Sequence, residues 1–375
     1  MKIIHIINSM ANGGAESVLY RIIKNDNKNE HIIILLLSEN FYKKELEKNN
    51  IIFYSINNKF NFVWFLKLIL IPYYIYKHNP QVVQSWMYHS NILASFLLIF
   101  FPFKKIYWNI RHSNFQEKIS FKYKFILKLS SLLSKIIPSK IIYCSNVSLK
   151  YHENIGFHNR KSVFIPNGFN DISSNINKDY KIKFMKKFGI SEDIILFGNV
   201  SRWNIQKNHE LLFKSLNIIK YKNNILKFKL ILIGNGISKF NKKLIFLIKK
   251  YNLVDNIIIL NPTSNIHDVY SLFDISLLSS SFGEGFSNFL SESMICGVPC
   301  VSTDIGDSSK IISNYGIIVA SNKEDKFSKA IIEMINIKKN KQKWNKLKKN
   351  NKDHIINNFS FEAMLKKYCH TWNEK

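Results

Sequence analysis

Carboxylates are scarce in this chain of 375 residues, where 26 Asp and Glu stand against 54 Lys and Arg for a formal net charge of +28. A surplus of that size gathers anions, whether nucleic acid, acidic lipid or phosphorylated small molecules. A coding bias toward Ile, Lys and Asn accounts for it equally well, so charge alone selects no partner. Only four cysteines are present, Cys144, Cys296, Cys300 and Cys369, with no CxxC pair. That excludes a disulfide scaffold and points to a reducing, cytosolic compartment. The opening MKIIHIINSMANGG has too short an apolar run for a signal peptide. The longest apolar stretches, Phe62 to Tyr76 (broken by Lys67 and Pro72) and Ile92 to Phe103, fall short of the ~20 residues a spanning helix needs. Asp-x-Asp occurs nowhere and no His/Cys cluster exists, so no metal is expected. No repeat of 20 to 50 residues is visible.

What is present suits a globular protein. The length predicts about two domains, and 46% hydrophobic with 21% charged residues is close to the soluble average. Short aliphatic runs alternate with amphipathic stretches: KIIHII (2–7), HIIILLL (31–37), QVVQ (81–84), IYWNI (106–110) and KIIYC (140–144). The rhythm restarts with IILFGNV (194–200), FKLILI (228–233), IIIL (257–260), DISLL (274–278) and GVPCVS (297–302). Near-continuous apolar strands between helices imply parallel sheets covered on both faces, hence two doubly wound α/β units in tandem. The turn-rich IPNGFNDISSN (165–175) marks the seam. Residues 1–168 then form one domain and 169–355 a second, with a final helix at about 356–375 packing back on the first. The run KKNKQKWNKLKKNNK (338–352) reads as a solvated helical face. Open α/β sheets bind ligands beyond the carboxyl ends of their strands, so the chemistry belongs on strand-to-helix loops.

The most informative segment is SSSFGEGFSNFLSESMICGVPCVSTDIG (279–306). Gly283 and Gly285 let backbone N–H groups approach a ligand, while Ser287 or Asn288 caps a helix running to Cys296, which Gly297 and Pro299 end. A glycine loop opening a helix favours phosphate oxygens. Glu284 and Glu292, eight positions apart, would repel phosphate and make sense as acceptors for sugar hydroxyls; two solvated helix-start glutamates are the plainer reading of either alone. Arg202 and Lys207 follow the strand at 194–200 on the same sheet edge, where one grips a diphosphate bidentately and the other acts as a point charge. In ILIGNGISKF, Gly234 and Gly236 lack the third glycine of a dinucleotide fingerprint, since Lys239 stands there. That stretch reads as a turn near the same site.

The Glu284-x7-Glu292 spacing, Glu284-Gly285-Phe286, Gly297-Val298-Pro299 and Thr303-Asp304-Ile305-Gly306 together resemble the nucleotide-sugar site of retaining GT-B glycosyltransferases, specifically glycosyltransferase family 4. Gly13-Gly14-Ala15-Glu16, the Arg202-x4-Lys207 pair and Ile165-Pro166-Asn167-Gly168 extend the resemblance over nearly the whole chain. It implies a GT-B fold, two Rossmann-like doubly wound parallel-sheet domains facing across a cleft. It also implies retaining, metal-independent transfer from a nucleotide diphosphate-sugar, UDP-sugar favoured, to a hydroxyl of a capsule, O-antigen or lipopolysaccharide precursor, with no cofactor. Carried onto this sequence, His112, Glu284, Arg202 and Lys207 are the catalytic candidates. Gly14, Gly234, Gly283, Gly285, Phe286, Ser287, Asn288 and Glu292 join them around the donor, and Gly13, Glu16, His89 and Arg111 lie on the acceptor side. A packed or capping histidine is the plainer reading of His112, and a tight turn that of Gly13-Gly14; His89 is the weaker candidate, beside Trp86 and Tyr88, whose plainer reading is core. Departures are Asn261-Pro262 where a strand-ending Gly is common, Ser287 in place of Pro and Asn170 in place of Asp. The first touches the region expected to hold the base. A GT-B epimerase or phosphorylase, and a non-catalytic basic adaptor, are the competing readings.

Between Lys104 and Lys161 stand 12 basic residues against Glu117 and Glu153. Phe121, Phe125, Leu129, Leu132 and Ile136 recur among them at helical spacing, as an interfacial basic helix requires, although packing of the same stripe on a sheet has the same signature. An anionic membrane surface on the cytoplasmic side, bearing a lipid-linked glycan acceptor, is the expected partner. Nucleic acid is not, because no recognition motif accompanies the charge.

Overall fold

The computed structural model describes the chain except residues 60, 98–99, 103, 115–119, 173–176, 178, 223–224, 226, 264 and 375. Part of the seam, 173–175, and Glu117 and Lys118 of the basic stretch therefore lie outside the described residues. Two compact units emerge, Met1–Asn167 with Glu362–Lys375, and Gly168–Phe361.

The first unit holds β1 (Lys2–Ile7), β2 (Glu30–Leu37), β3 (Ile52–Asn57), β4 (Val82–Trp86), β5 (Lys105–Ile110), β6 (Lys140–Tyr143) and β7 (Ser162–Phe164). They form a parallel sheet in the order β3-β2-β1-β4-β5-β6-β7. Its helices are α1 (Gly14–Asn25), α2 (Lys43–Lys48), α3 (Phe62–Lys67), α4 (Leu70–His78), α5 (Met87–Phe96), α6 (Phe121–Ser134) and α7 (Asn146–Asn154). Strand order reverses at β1/β4, and right-handed crossovers then lay α3 to α7 over one face. The apolar core of that face joins Ile4, Ile32 and Val83 of the sheet to Ile71, Ala94 and Leu127 of the helices. Of the stripe expected on α6, Phe121, Phe125, Leu132 and Ile136 are exposed and Leu129 is half-buried; Leu127, Ser130 and Ser134 face inward instead.

The second unit holds β8 (Ile195–Val200), β9 (Phe228–Ile233), β10 (Ile257–Leu260), β11 (Ile275–Leu278), β12 (Cys300–Thr303) and β13 (Ile317–Val319), parallel in the order β10-β9-β8-β11-β12-β13. Around it lie α8 (Asp179–Lys187), α9 (His209–Tyr221), α10 (Lys242–Lys250), α11 (Ile266–Leu272), α12 (Asn288–Ile295), α13 (Ser308–Ile312), α14 (Glu324–Lys339) and α15 (Lys341–Asn358). Two local expectations change. The strand expected at 297–302 starts only at Cys300, because Gly297 at φ +72° and Pro299, which has no N–H to give a ladder, form the turn before it. The basic run at 338–352 is broken at Asn340, whose side chain accepts from the Lys343 N–H at 3.0 Å and starts a new helix.

The last helix, α16 (Phe361–Asn373), lies almost wholly in the first unit. It buries Tyr368 and Trp372 against the second face of that sheet, where the Trp372 indole donates to Gln84 at 2.6 Å. A polar chain crosses this face: the Trp86 indole meets His5 at 3.3 Å, His5 meets His31 at 2.9 Å and His31 meets Asp26 at 3.0 Å. Burial keeps His5 well below its ordinary value, so this ring is neutral and is satisfied by hydrogen bonds with its neighbours. Among the described residues no helix is long and apolar enough to cross a membrane.

Candidate active site

In the second unit the loops leaving β8 and β11 are stitched together at the carboxyl edge of the sheet. Asn204 accepts from the Gln206 N–H at 3.1 Å and bends the chain into a short helical turn, Ile205–Lys207. The carbonyls of that turn take up the other loop: Gln206 accepts from the Ser281 N–H at 2.9 Å, and Lys207 from the Ser279 hydroxyl at 2.9 Å. The stitching sets Lys207 against Glu284 in an ion pair whose side chains are only 15% and 9% exposed. Ser280 donates to the same Glu284 oxygen at 2.6 Å, and its own carbonyl is held by Thr303 at 2.6 Å.

Gly283 sits at φ +75°, the left-handed region that suits glycine. Ser287 then caps α12, accepting from the Leu290 N–H at 3.5 Å, and Asn288 opens the helix. The buried Asp307 and Phe169, with the half-buried Gly306 and Phe359, hold this loop from below. Gly306, at φ +62°, lies where an added Cβ would meet the Glu284 carbonyl at 2.1 Å, and the Asp307 N–H donates to the Gly285 carbonyl at 3.0 Å. Phe286, expected to touch the donor, turns its ring inward between Phe169 (centroids 6.3 Å apart) and Phe359 (5.1 Å). Its ring thus anchors the loop. One turn into α12, the Tyr270 hydroxyl donates to Glu292 at 2.7 Å from a fully buried position, orienting that carboxylate.

Arg202 is exposed at the start of the β8 loop, with no ion pair among the described residues. Gly234, at φ +150°, lies where a Cβ would strike the Ser201 carbonyl at 2.0 Å, so this glycine lets the Arg202 loop close over the end of β9. Beneath Arg202, Ser201 donates to Asn199 at 2.7 Å and meets His209 Nε2 at 3.0 Å. Burial, with Lys207 adding to it, brings His209 down to about 4, so the ring is neutral and Nε2 carries its hydrogen.

In the first unit the corresponding edge carries Gly13 and Gly14 after β1, His89 in the first turn of α5, and Arg111 and His112 after β5. Glu16 folds back onto the start of its own helix, where a Cβ added at Gly13 would lie 2.3 Å from its carboxylate. His89 is exposed, whereas Trp86 and Tyr88 are core. Arg111 is held on every side: it donates to Asn109 at 3.3 Å, to the Tyr368 hydroxyl at 3.2 Å and to Asn167, and its guanidinium lies 5.6 Å from the Trp86 ring centre. The Arg111 N–H meets the Met87 sulfur at 3.4 Å, and Met87 itself sits at φ +68°. A side-chain-bearing residue there stores strain of about 1–3 kcal/mol, a feature that gathers at ligand sites. His112 presents its carbonyl to the Ser148 hydroxyl at 2.6 Å.

Lys207 and Glu284 are thus brought together, with Glu292 on the adjoining helix, while Arg111 and His112 share one strand end in the other unit. Sequence reasoning did not find Ser280, Tyr270, His209, Met87 or the supporting role of Gly306. Among the described residues no group of His, Cys, Asp and Glu suited to a metal is present.

Residues 181–353 match the model of "Glycosyl transferases group 1". The capsular polysaccharide biosynthesis glycosyltransferase CapH of Staphylococcus aureus is 26% identical over 319 residues, 83% of each chain. A Campylobacter jejuni N-acetylgalactosamine-N,N'-diacetylbacillosaminyl-diphospho-undecaprenol 4-alpha-N-acetylgalactosaminyltransferase is 27% identical over 41% of this chain and 40% of its own. Three curated relatives are matched over only 32%, 40% and 32% of their length. The Anabaena protein Alr3699/HepE, solved with UDP-glucose, superimposes over 99% of both chains with a TM-score of 0.84 at 18% identity. The chain is therefore a protein of GT-B fold, and residues 181–353, within its second unit, are similar to the glycosyl transferases group 1 family.

Proposed function

We propose that this protein is a retaining, metal-independent glycosyltransferase that moves a sugar from a nucleotide diphosphate-sugar to a hydroxyl of a surface-glycan precursor. The observation that carries the reading is the Lys207–Glu284 pair beside the start of α12. A cation for phosphate, a carboxylate for sugar hydroxyls and the positive end of a helix meet there. Arg202 supplies the second cation. In the reaction the bond from the anomeric carbon to the diphosphate oxygen breaks first, and Arg202, Lys207 and the loop amides stabilise the charge that develops on the leaving group. The acceptor oxygen bonds to the same face of the oxocarbenium-like sugar, and its proton passes to the departing phosphate oxygen. Glu284 holds sugar hydroxyls and Glu292, oriented by Tyr270, holds the ribose. His112 and Arg111 act on the acceptor side.

UDP-sugar is favoured as donor by the UDP-glucose complex of the Anabaena relative. A lipid-linked acceptor is favoured by the diphospho-undecaprenol acceptor in the Campylobacter relative's name. Such an acceptor places the protein at the inner face of the cytoplasmic membrane, with the basic outer side of α6 toward anionic lipid. A thermal-shift screen of UDP-, GDP- and ADP-sugars tests the donor, because a bound donor raises the unfolding temperature by mass action. Product analysis with and without acceptor completes the test: a new glycosidic bond supports transfer, and conversion of the donor without any acceptor means an epimerase and refutes it.

A further inference from the structure

Residues 62–78, which form α3 and α4, are apolar on both sides. Trp64, Leu68, Ile71 and Ile75 face inward and join the core under the sheet. Outward, at the same helical spacing, stand Phe62, Phe65, Leu66, Ile69, Tyr73 and Tyr76, each between 54% and 78% exposed. A helix bathed in water carries polar side chains opposite its core face. Here Lys67, Lys77 and His78 are the only basic residues and no carboxylate occurs. The segment is shorter than the ~20 residues a span requires, and its inner stripe is already committed to the core. An interfacial position satisfies both stripes.

The surroundings say what covers it. The helices of this layer share one core through their inner sides, and their outer sides add exposed Phe96 at the end of α5, Phe100 beyond it, and Phe121 and Phe125 on α6. Between Glu47 and Glu153 the sequence has a single carboxylate, Glu117, in 105 positions, while the other 25 are spread over the remaining 270. Composition bias would thin carboxylates throughout; this depletion is confined to the segment that builds the layer. A surface of lysine and aromatic side chains without carboxylates suits anionic lipid, and a second copy, with the same positive surface, is repelled.

We propose that the outer faces of α3 and α4, flanked by α6, form a bilayer-docking surface that seats aromatic and aliphatic side chains among the acyl chains of an anionic membrane. This deepens the membrane reading of α6 and rests on it for the sign of the lipid charge. Vesicle binding needs neither donor nor acceptor, so it fails or stands apart from the transferase reading. Lysines alone give binding that vanishes in about 1 M salt, where the screening length is roughly 3 Å; inserted side chains hold on.

The test is sedimentation of the full chain with vesicles of phosphatidylcholine and phosphatidylglycerol, loaded at low salt and washed at high salt. Wild type stays bound. Each removed aromatic or aliphatic side chain lowers partitioning roughly tenfold, so Phe65→Ser/Ile69→Ser is released with about 100-fold weaker binding. Phe62→Ser/Leu66→Ser serves as a second variant, and unchanged circular dichroism of either shows that the fold is intact. The proposal is overturned if high salt strips the wild type completely, or if both folded variants stay bound as wild type does. It is overturned equally if wild type binds no vesicle and the variants merely turn a dimer into a monomer in sedimentation velocity.

Discussion

Neutralising Lys207 and Glu284 separately and together distinguishes what the pair does for the fold from what it does for chemistry. Lys207→Met leaves the buried Glu284 carboxylate without its cation while Ser280 still donates to it, and Glu284→Gln leaves Lys207 without its counter-charge. Removing one partner of a buried pair destabilises by about 3–5 kcal/mol. Side-chain exposures of 15% and 9% leave some solvent screening here, so about 2 kcal/mol is expected for each single change. The double variant removes both charges at once and should lose about 2 kcal/mol rather than the sum, a coupling of roughly 1–3 kcal/mol. Turnover behaves differently. Each single change lowers it by about 10²–10³-fold, and the double variant recovers none of that, because phosphate and sugar each lose a partner. Urea unfolding midpoints at constant slope give the first quantity, and initial rates with a nucleotide-sugar give the second. Additive destabilisation would mean that the pair is not a coupled unit. Recovered turnover in the double variant would mean that Lys207 serves Glu284 alone, and the phosphate role would fall.

Other consequences are equally concrete. His209 and His152 are each brought down to about 4, chiefly by burial, so they are neutral when folded but gain protons near 6.5 when unfolded. Their stabilisation is therefore complete above about pH 6.5 and is lost as pH falls toward 4, by about 3 kcal/mol per ring; calorimetric melting across that range checks this, and His209→Gln should flatten the curve. Gly306→Ala places a methyl 2.1 Å from the Glu284 carbonyl at φ +62°, so it should destabilise by more than about 2 kcal/mol and weaken donor binding, read by thermal melting with and without UDP. Tyr270→Phe removes the 2.7 Å bond to Glu292. Donor KM should rise about tenfold with kcat nearly unchanged, as expected for a lost hydrogen bond to a charged group that contacts the ribose.

The central strands were legible because burial on both faces leaves them almost wholly aliphatic, as in KIIHII and FKLILI. The three that escaped, β3, β7 and β13, are edge strands in which polar residues or a length of three blur the pattern. At the site, candidates with a fixed spacing could be picked out: Glu284, Glu292, Arg202 and Lys207 announce themselves by type and interval. Residues that act through another residue could not. Tyr270 reaches Glu292 from a different helix, and nothing in the sequence ties positions 22 apart. Phe286 has the opposite lesson, since its place in the motif suggested ligand contact while its ring is taken up by Phe169 and Phe359. The positive φ at Met87 has no sequence signature, because methionine is not a residue that favours it.

Isothermal titration calorimetry of UDP against wild type, Arg202→Ala and Lys207→Ala bears most directly on the diphosphate assignment. Saturable binding near the micromolar level is expected for wild type, with at least about a tenfold loss in each variant. Absence of saturable heat for UDP, GDP and ADP alike, or unchanged affinity in both variants, would contradict it.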